Sequence, residues 1–561
     1  MSKRRFSLGL DFGTNSVRAL IVDINNGEEI ATHVHNYRRG KDGILLDKKD
    51  ANIARQSPKD YLEGLEQTCR DALNKAKKVK SFSTEDIIGI GVDTTGSTPM
   101  PVDEKGIPLA FKDKFKNNLN AQAWLWKDHS SHEEAEEITA LAKKEHPEYL
   151  AKCGGTYSSE WFFSKILHCL RVDPEVFKNA YSWVEFADFI PGVLTGNTDP
   201  LKIKRSICAA GHKAMYNDGW EGLPEEKFLA KLDPELGKLR KRLYKKAYTS
   251  DIKAGGLSRE YAKKLGLRQG MAVAVGAFDA HLGAVGTGIK PGTLVKIIGT
   301  STCDMVVVPD KEKLPDIPGL CGIVNGSILP GYFGLEAGQS AVGDIFNWFV
   351  NLIKEDKKKD DQIHNILTKK AKELKPGESG LLALDWNNGN RTILVDAKLT
   401  GLLIGQTLHT APYEIYRALI EATAFGARVI IERFEEYGVQ VKDIINCGGI
   451  TEKNDLLMQI YADITGRPME VSRSLQTCAL GACIFGAVAS GSFSRVEDAQ
   501  KAMSGLKDMK YVPNKKAHQI YNQLYKLYLE LHDIFGRDKK ANLKHVMKEL
   551  LKIKSKVRHE S

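Results

Sequence analysis

Two short turns carry the densest chemistry in this sequence. The stretch "LGLDFGTNSVRALIVD" sets Asp11 at the end of one strand-forming run, then Gly13-Thr14-Asn15-Ser16, then a second run that opens with Val17 and Arg18. The stretch "LVKIIGTSTCDMVVVP" repeats the plan with Gly299-Thr300-Ser301-Thr302. Backbone N–H groups of such a turn can converge on an anion, and glycine admits the close approach of a phosphate oxygen. Asp11 is placed to hold Mg²⁺ directly or through its waters, because magnesium takes one or two carboxylates together with substrate phosphates. Arg18 could add positive charge to the same phosphates. Turns rich in Gly, Thr and Ser also close plain hairpins, so the residues alone leave a pair of ordinary hairpins beside a clamp on a triphosphate. Neither turn is a P-loop, since GxxxxGK[ST] is absent from both.

Two further positions could do chemistry. In "AFDAH" Asp279 follows an apolar run and precedes a glycine-rich one. A carboxylate leaving a dry strand for a cleft can take a proton from a hydroxyl; capping a helix is the commoner use of such an Asp. In "NCGGITEKNDLL" Gly448 and Gly449 end a strand and a helix starts near Asn454, a step on which a nucleoside could lie or a routine strand-to-helix turn. His129 and His132 share the spacing of one helix face but find no third ligand in the sequence, and they read as solvated helix residues.

The elements that must position these residues read as α/β. Leu8, Leu10 and Phe12 alternate as in a strand, Val17–Val22 forms its hairpin partner, and the segment 58–80 has helical periodicity before the strand "IIGIGVDTTGS". Strand, helix and strand in alternation is the α/β pattern. The second hairpin lies half a chain from the first, which suggests two related domains: 1–276, then 277–510, with 511–561 as a basic helical tail. Ile520, Leu524, Leu527 and Leu531 fall at helical spacing and start that tail, and "KEDKKKDD" reads as an exposed insertion.

Bulk properties narrow the class. A chain of 561 residues is too long for one core, and 42% hydrophobic with 27% charged residues excludes global disorder. The net charge of +10 is concentrated from Arg537 onward, where nine Lys/Arg face three acids. That favours a solvated terminal helix over a nucleic-acid surface, which needs a basic patch on the folded domain. Nine scattered cysteines without a CxxC pair fit a reduced, cytoplasmic protein. No stretch makes a good signal peptide or membrane span.

Taken together, "LGLDFGTNSVRALIVD", "GAFDAH", "IGTST" and "CGGITEKN" resemble the FGGY carbohydrate kinases of the actin/sugar-kinase/Hsp70 superfamily, in the family's order and across nearly the whole chain. The resemblance implies two ribonuclease-H-like domains facing an interdomain cleft, with ATP and Mg²⁺ as cofactors. It implies Asp279 as the general base and Asp11 as the magnesium-associated acid. Gly13, Thr14, Asn15, Ser16 and Arg18 then resemble the first phosphate segment, Gly299, Thr300 and Ser301 the second, and Gly448, Gly449 and Asn454 the adenosine segment. The sugar-pocket matches are Gly96, Ser97, Trp126, Asp128, Lys213 and Glu336, alongside Asp279.

"GVDTTGSTPMPVD", "WKDHSSHEEAEEIT", "YSSEWFFSKILH", "AAGHKAMY" and "GLEAGQSAVGDIFNWF" are similar to the bacterial subgroup that phosphorylates L-ribulose to L-ribulose 5-phosphate in L-arabinose catabolism. Glycerol kinases carry an Arg-Glu pair where this chain has the loop Thr94–Thr98. Around "GLLIGQTLHTAPYEIYRALIEATAFG" the chain departs from the family pattern at Gln406 and Leu419. The expected partner is a small sugar, with no nucleic acid and no membrane, and a homodimer is an admissible assembly. The competing readings are a kinase for another ketopentose or pentitol (D-ribulose, D-xylulose, ribitol), and a non-kinase ATP-binding protein of the same fold. A chaperone-like protein would need a β-rich peptide-binding block, and the remainder after Ser490 is short and helical.

Overall fold

The computed structural model describes residues 4–354, 359–537 and 543–544. Half of the expected insertion "KEDKKKDD", residues 355–358, and most of the segment after Arg537 lie outside the described residues. The first sheet is built from β1 (Phe6–Phe12), β2 (Ser16–Asp23), β3 (Glu29–Asn36), β4 (Ile87–Thr94), β5 (Lys253–Gly256), β6 (Ala272–Ala274) and β7 (Ala277–Phe278). The second holds β8 (Thr293–Ile298), β9 (Thr302–Pro309), β10 (Gly322–Asn325), β11 (Tyr332–Ala337), β12 (Asp443–Cys447), β13 (Met469–Ser472) and β14 (Leu506–Tyr511). The helices that matter to the site are α1 (Pro58–Ala76), α2 (Asp279–Gly286), α3 (Gly343–Ile353), α4 (Pro412–Glu436), α5 (Asp455–Thr465), α6 (Thr477–Ala489) and α7 (Lys515–Gly536).

The two sheets follow one plan. Their orders are β5-β6-β4-β1-β2-β3, with β7 also on β4, and β14-β13-β12-β8-β9-β11-β10. In each, an antiparallel hairpin has a third antiparallel strand on one side and a parallel strand on the other. A further parallel strand and an antiparallel edge follow. The parallel strand needs a crossover connection, which α1 supplies in the first domain by burying Tyr61, Leu65, Cys69 and Leu73 along one face. The chain is therefore an α/β protein of two ribonuclease-H-like domains. Between β4 and β5 the first domain carries a mostly helical insertion with its own core, including Trp124, Phe163, Trp183 and Leu229.

The seam between the sheets is α2 and α6. Small residues in "TCALGACIFGAVASG" let α6 lie almost on the backbone of its neighbours. A Cβ on Gly91 of β4 would stand 1.8 Å from the Ala482 carbonyl, and one on Gly481 would stand 1.9 Å from that of Leu282. One apolar cluster there joins Leu20 of the first sheet, Val295 of the second, and Leu480 and Ala482 of α6. The first sheet runs through Phe278 in β7, and α2 starts at Asp279.

Helix α7, expected to open a basic tail, is instead part of the second domain's core. Tyr521, Tyr525, Tyr528 and His532 are its buried face, while Ile520 and Leu527 of the expected aliphatic stripe are exposed. Tyrosine fits this face because its hydroxyl reaches buried acids. Tyr521 donates to Glu421 at 2.8 Å and Tyr528 to Asp385 at 2.9 Å. No helix among the described residues is long and apolar enough to cross a membrane.

Candidate active site

The first hairpin places Asp11 opposite Arg18 in the β1–β2 register, with Arg18 Nη1 3.4 Å from Asp11 Oδ2. The turn closes when Gly13 N donates to Ser16 O at 2.9 Å. Its side chains are anchored from outside the hairpin. Trp126 Nε1 donates to Thr14 Oγ1 at 3.0 Å, Gln56 Nε2 to Thr14 O at 2.6 Å, and Asn15 Nδ2 to Asp42 O at 2.6 Å.

In the second hairpin Gly299 N donates to Ser301 O at 2.9 Å, and the N-terminus of α3 is tied to the turn. Val342 N donates to Thr300 O at 2.8 Å and Gly343 N to Gly299 O at 3.1 Å. Gly299 and Thr300 are exposed and open to a ligand. Gly448 adopts φ +103°, and a Cβ there would stand 2.2 Å from the Ile298 carbonyl, so the third glycine segment is fitted to the end of β8. Gly449 faces open space. Asn454 Oδ1 caps α5 through Leu457 N at 3.0 Å.

Asp279 is half-buried at the start of α2, and its Oδ1 accepts from Ala280 N at 2.7 Å. Burial, and after it the negative charge of Asp11, push its carboxyl up to about 7, with Glu336 of the second sheet adding to the rise. Asp279 thus feels acids from both domains. A third carboxylate was not singled out from the sequence. Asp93 on β4 pairs in register with Asp11, is fully buried, and neither oxygen has a hydrogen-bond partner among the described residues. Burial, then Asp11 and Asp279, raise it well above the ordinary carboxylate value. The signal for it was an acid inside the apolar strand "GIGVDTTG".

The sugar-pocket expectations divide into two groups. Lys213, on the short helix Ile207–Lys213, meets Glu336 of β11 across the domain seam, its Nζ 3.2 Å from Oε2 and 3.4 Å from Oε1. Against the cost of burial, Lys213 and then His212 and His281 hold the Glu336 carboxyl below the usual carboxylate range. Gly96 leaves room for the Phe278 ring, from which a Cβ would stand only 2.1 Å away. Trp126 is half-buried and joins this group to the first turn.

Asp128 and Ser97 are braces. Asp128 is fully buried and paired with Arg55. Its Oδ2 accepts from Ala54 N at 2.6 Å and its Oδ1 from Ser130 Oγ at 2.6 Å, which leaves no oxygen free for a sugar. The Ser97 hydroxyl donates to Glu185, whose Oε2 also takes Thr98 N at 2.8 Å. Lys165, likewise missed from the sequence, donates to Ser97 O and Leu125 O, each at 2.9 Å, and so ties the Gly96–Ser97 loop to the Trp126 segment. Burial pushes Lys165 down to about 7 and Glu185 up to about 7.

The arrangement sets a carboxyl of raised pKa at the seam of two domains, each of which ends a hairpin in a Gly/Thr/Ser turn. Residues 6–286 match the N-terminal domain of the FGGY family of carbohydrate kinases, and residues 294–490 match its C-terminal domain. The chain is 43% identical to a ribulokinase of Halalkalibacterium halodurans, over 98% of each chain. It is 41% identical to one of Shouchella clausii, over 99% of each. Among solved structures it is similar to a xylulose kinase of Rhodospirillum rubrum, with a TM-score of 0.77 at 20% identity over 95% of this chain and 99% of that one. On its sequence and on its two domains alike, the chain belongs to the FGGY family of carbohydrate kinases.

Proposed function

We propose that the chain transfers the γ-phosphoryl group of ATP in line to the 5-hydroxyl of L-ribulose, giving L-ribulose 5-phosphate and ADP in cytoplasmic L-arabinose catabolism. One observation carries the chemistry. Asp279 stands at the seam, half-buried and titrating near 7, between acids of the two domains. A base poised near neutrality is the efficient acceptor of a hydroxyl proton. As the new O5–phosphorus bond forms and the bond to the ADP oxygen breaks, the hydroxyl proton passes to the Asp279 carboxylate.

The remaining work is positioning and charge stabilisation. Gly13, Thr14, Asn15, Ser16 and Arg18 hold phosphate from one domain and Gly299, Thr300 and Ser301 from the other. Gly448 and Gly449 receive the adenosine, and Asn454 fixes the helix behind it. Lys213 and Glu336 offer polar contacts to sugar hydroxyls, Trp126 a flat wall, and Gly96 the space beside Phe278. Asp11 and Asp93 beside it bring two carboxyl groups together, a set that fits a magnesium ion shared with substrate phosphates, whose charge would favour their ionised forms. When bound, the ion would supply charge neutralisation of the polyphosphate. The Lys213–Glu336 pair links the domains and so supports a cleft that shuts water out of the reaction.

The name ribulokinase, carried by the relatives, supports ribulose as the acceptor, and the motifs shared with the L-ribulose subgroup support the L isomer. The test is ATP-coupled turnover on L-ribulose, D-ribulose, D-xylulose, L-xylulose, ribitol, arabinitol and glycerol. L-Ribulose is expected to give the highest kcat/KM, and a preference for D-xylulose or glycerol would overturn the assignment.

A further inference from the structure

Behind the Lys213–Glu336 pair lie two histidines that the proposed reaction does not use. His212 precedes Lys213 on the insertion, His281 is on α2, and Glu336 is on β11, so the three come from the first domain, the seam and the second domain. All are buried. Both nitrogens of both imidazoles lack a hydrogen-bond partner among the described residues, which is costly for buried polar atoms. The rings lie 4.5 Å apart between centroids. His212 Nδ1 is 3.4 Å and His281 Nε2 3.9 Å from the same oxygen, Glu336 Oε2. One donor atom from each residue falls within 4.8 Å of the other two. With Zn–N and Zn–O bonds of about 2.0–2.2 Å, neighbouring donors of a tetrahedral zinc site are about 3.3–3.5 Å apart. The two donor spacings to Glu336 Oε2 thus lie within about 0.5 Å of that geometry, and the imidazole donors within 4.8 Å of each other. The chain keeps space for it, because a Cβ on Gly322 would stand 2.0 Å from His212 Nδ1.

We propose that His212, His281 and Glu336 form a binding site for a zinc-class divalent cation, distinct from the magnesium site, and that the cation competes with Lys213 for Glu336 and closes the sugar pocket. The ligand set is two imidazoles and one carboxylate, which suits zinc and its neighbours in the first transition row and not magnesium. Three protein ligands leave a fourth position for water. Lys213 Nζ lies 3.2 Å from the same oxygen, Glu336 Oε2, so the cation and the ion pair exclude each other. The cation site stands on these distances alone; its effect on the sugar rests on the pocket proposed above.

Titration of the full chain with Co²⁺ as a surrogate for Zn²⁺ should give the visible d–d absorption of a low-coordinate site. It should not give the near-ultraviolet band of a thiolate complex, which any of the nine cysteines could produce. His212→Asn and His281→Asn should each abolish the d–d band. Lys213→Met removes the rival cation and should tighten Zn²⁺ binding more than about tenfold, since a unit charge a few ångströms away opposes a divalent ion strongly; a misfolded variant would not gain affinity. An absent d–d band, a thiolate band in its place, a band that survives both histidine substitutions, or an affinity unmoved by Lys213→Met would each overturn the site. Saturating L-ribulose should displace the cation. Retention of the cation under sugar would remove Glu336 from the sugar pocket while leaving the cation site in place.

Discussion

The two hairpins share a backbone and differ in charge. Each closes with a glycine N–H returned to a nearby carbonyl at 2.9 Å, and each lies between a parallel strand and an antiparallel one. The first carries Asp11 and Arg18 in its register, with Asp93 on the next strand. The second turn holds no ionisable side chain. Its only charges are Lys296 and Asp304 below it, a buried pair at 2.7 Å that neutralises itself. A duplicated fold thus presents the same N–H groups twice but acids once. In the proposed division of labour the first hairpin manages the metal and the second is a neutral phosphate cradle, with Asp279 at the seam managing the proton.

The largest test of that division is Asp279→Asn. Loss of a positioned general base should cut kcat by about 10²–10⁴-fold, with ATP binding by calorimetry unchanged. Near-normal turnover would remove Asp279 from the proton transfer. The wild-type pH profile sharpens the point. A carboxyl raised to about 7 is protonated below that pH, so kcat/KM for the sugar should fall as pH drops through about 7 and level off above it. A limb near the ordinary carboxylate value would mean that the seam does not raise the base.

Next comes Asp11→Asn, set against Gly343→Ala. Partners near a bound metal are worth about 10–100-fold in affinity, so Asp11→Asn should raise the Mg²⁺ required for half-maximal rate by that factor. Mn²⁺ binding followed by electron paramagnetic resonance should weaken in parallel. Against the second hairpin, at the start of α3, a Cβ on Gly343 would stand 2.6 Å from the Gly299 carbonyl. Overpacking of about 1–3 kcal/mol should displace the turn and raise KM for ATP about tenfold, leaving the Mg²⁺ requirement alone. If both variants moved Mg²⁺ and ATP together, the two turns would not be doing separate work.

What could be read in advance follows the same line between local and distant partners. The hairpins, Asp279 and the Gly448–Gly449 step were legible because strand, turn and functional group lie within a few residues. Asp93 was not, because an acid in an apolar strand gains its meaning from Asp11 on a neighbouring strand. The bracing partners of Asp128 could not be read in the sequence either, because Arg55 and the Ala54 N–H lie more than seventy positions upstream. The His212–His281–Glu336 group draws on three remote segments and has no spacing to recognise. In α7 the aliphatic spacing marks a helix but not its buried face, which is lined by tyrosines whose hydroxyls reach Glu421 and Asp385.

The smallest effects concern how each turn is held. Behind the second hairpin runs a buried chain: Tyr528 donates to Asp385, Gln339 Nε2 donates to Asp385 at 2.7 Å, and Gln339 N donates to Thr302 Oγ1 at 2.9 Å. Tyr528→Phe leaves a buried carboxylate oxygen short of a donor and should lower unfolding stability by about 1–3 kcal/mol. One of the three bonds that hold the first turn comes from Trp126, a half-buried side chain whose bond to Thr14 Oγ1 water can replace. Trp126→Phe should therefore cost no more than about 1 kcal/mol, with its larger consequence on KM for the sugar through the altered wall. Chemical denaturation of the two variants decides between them. If Trp126→Phe proved the more destabilising, the first turn would be the rigid one, and the idea of a built-in cradle facing a metal-organised partner would have to be reversed.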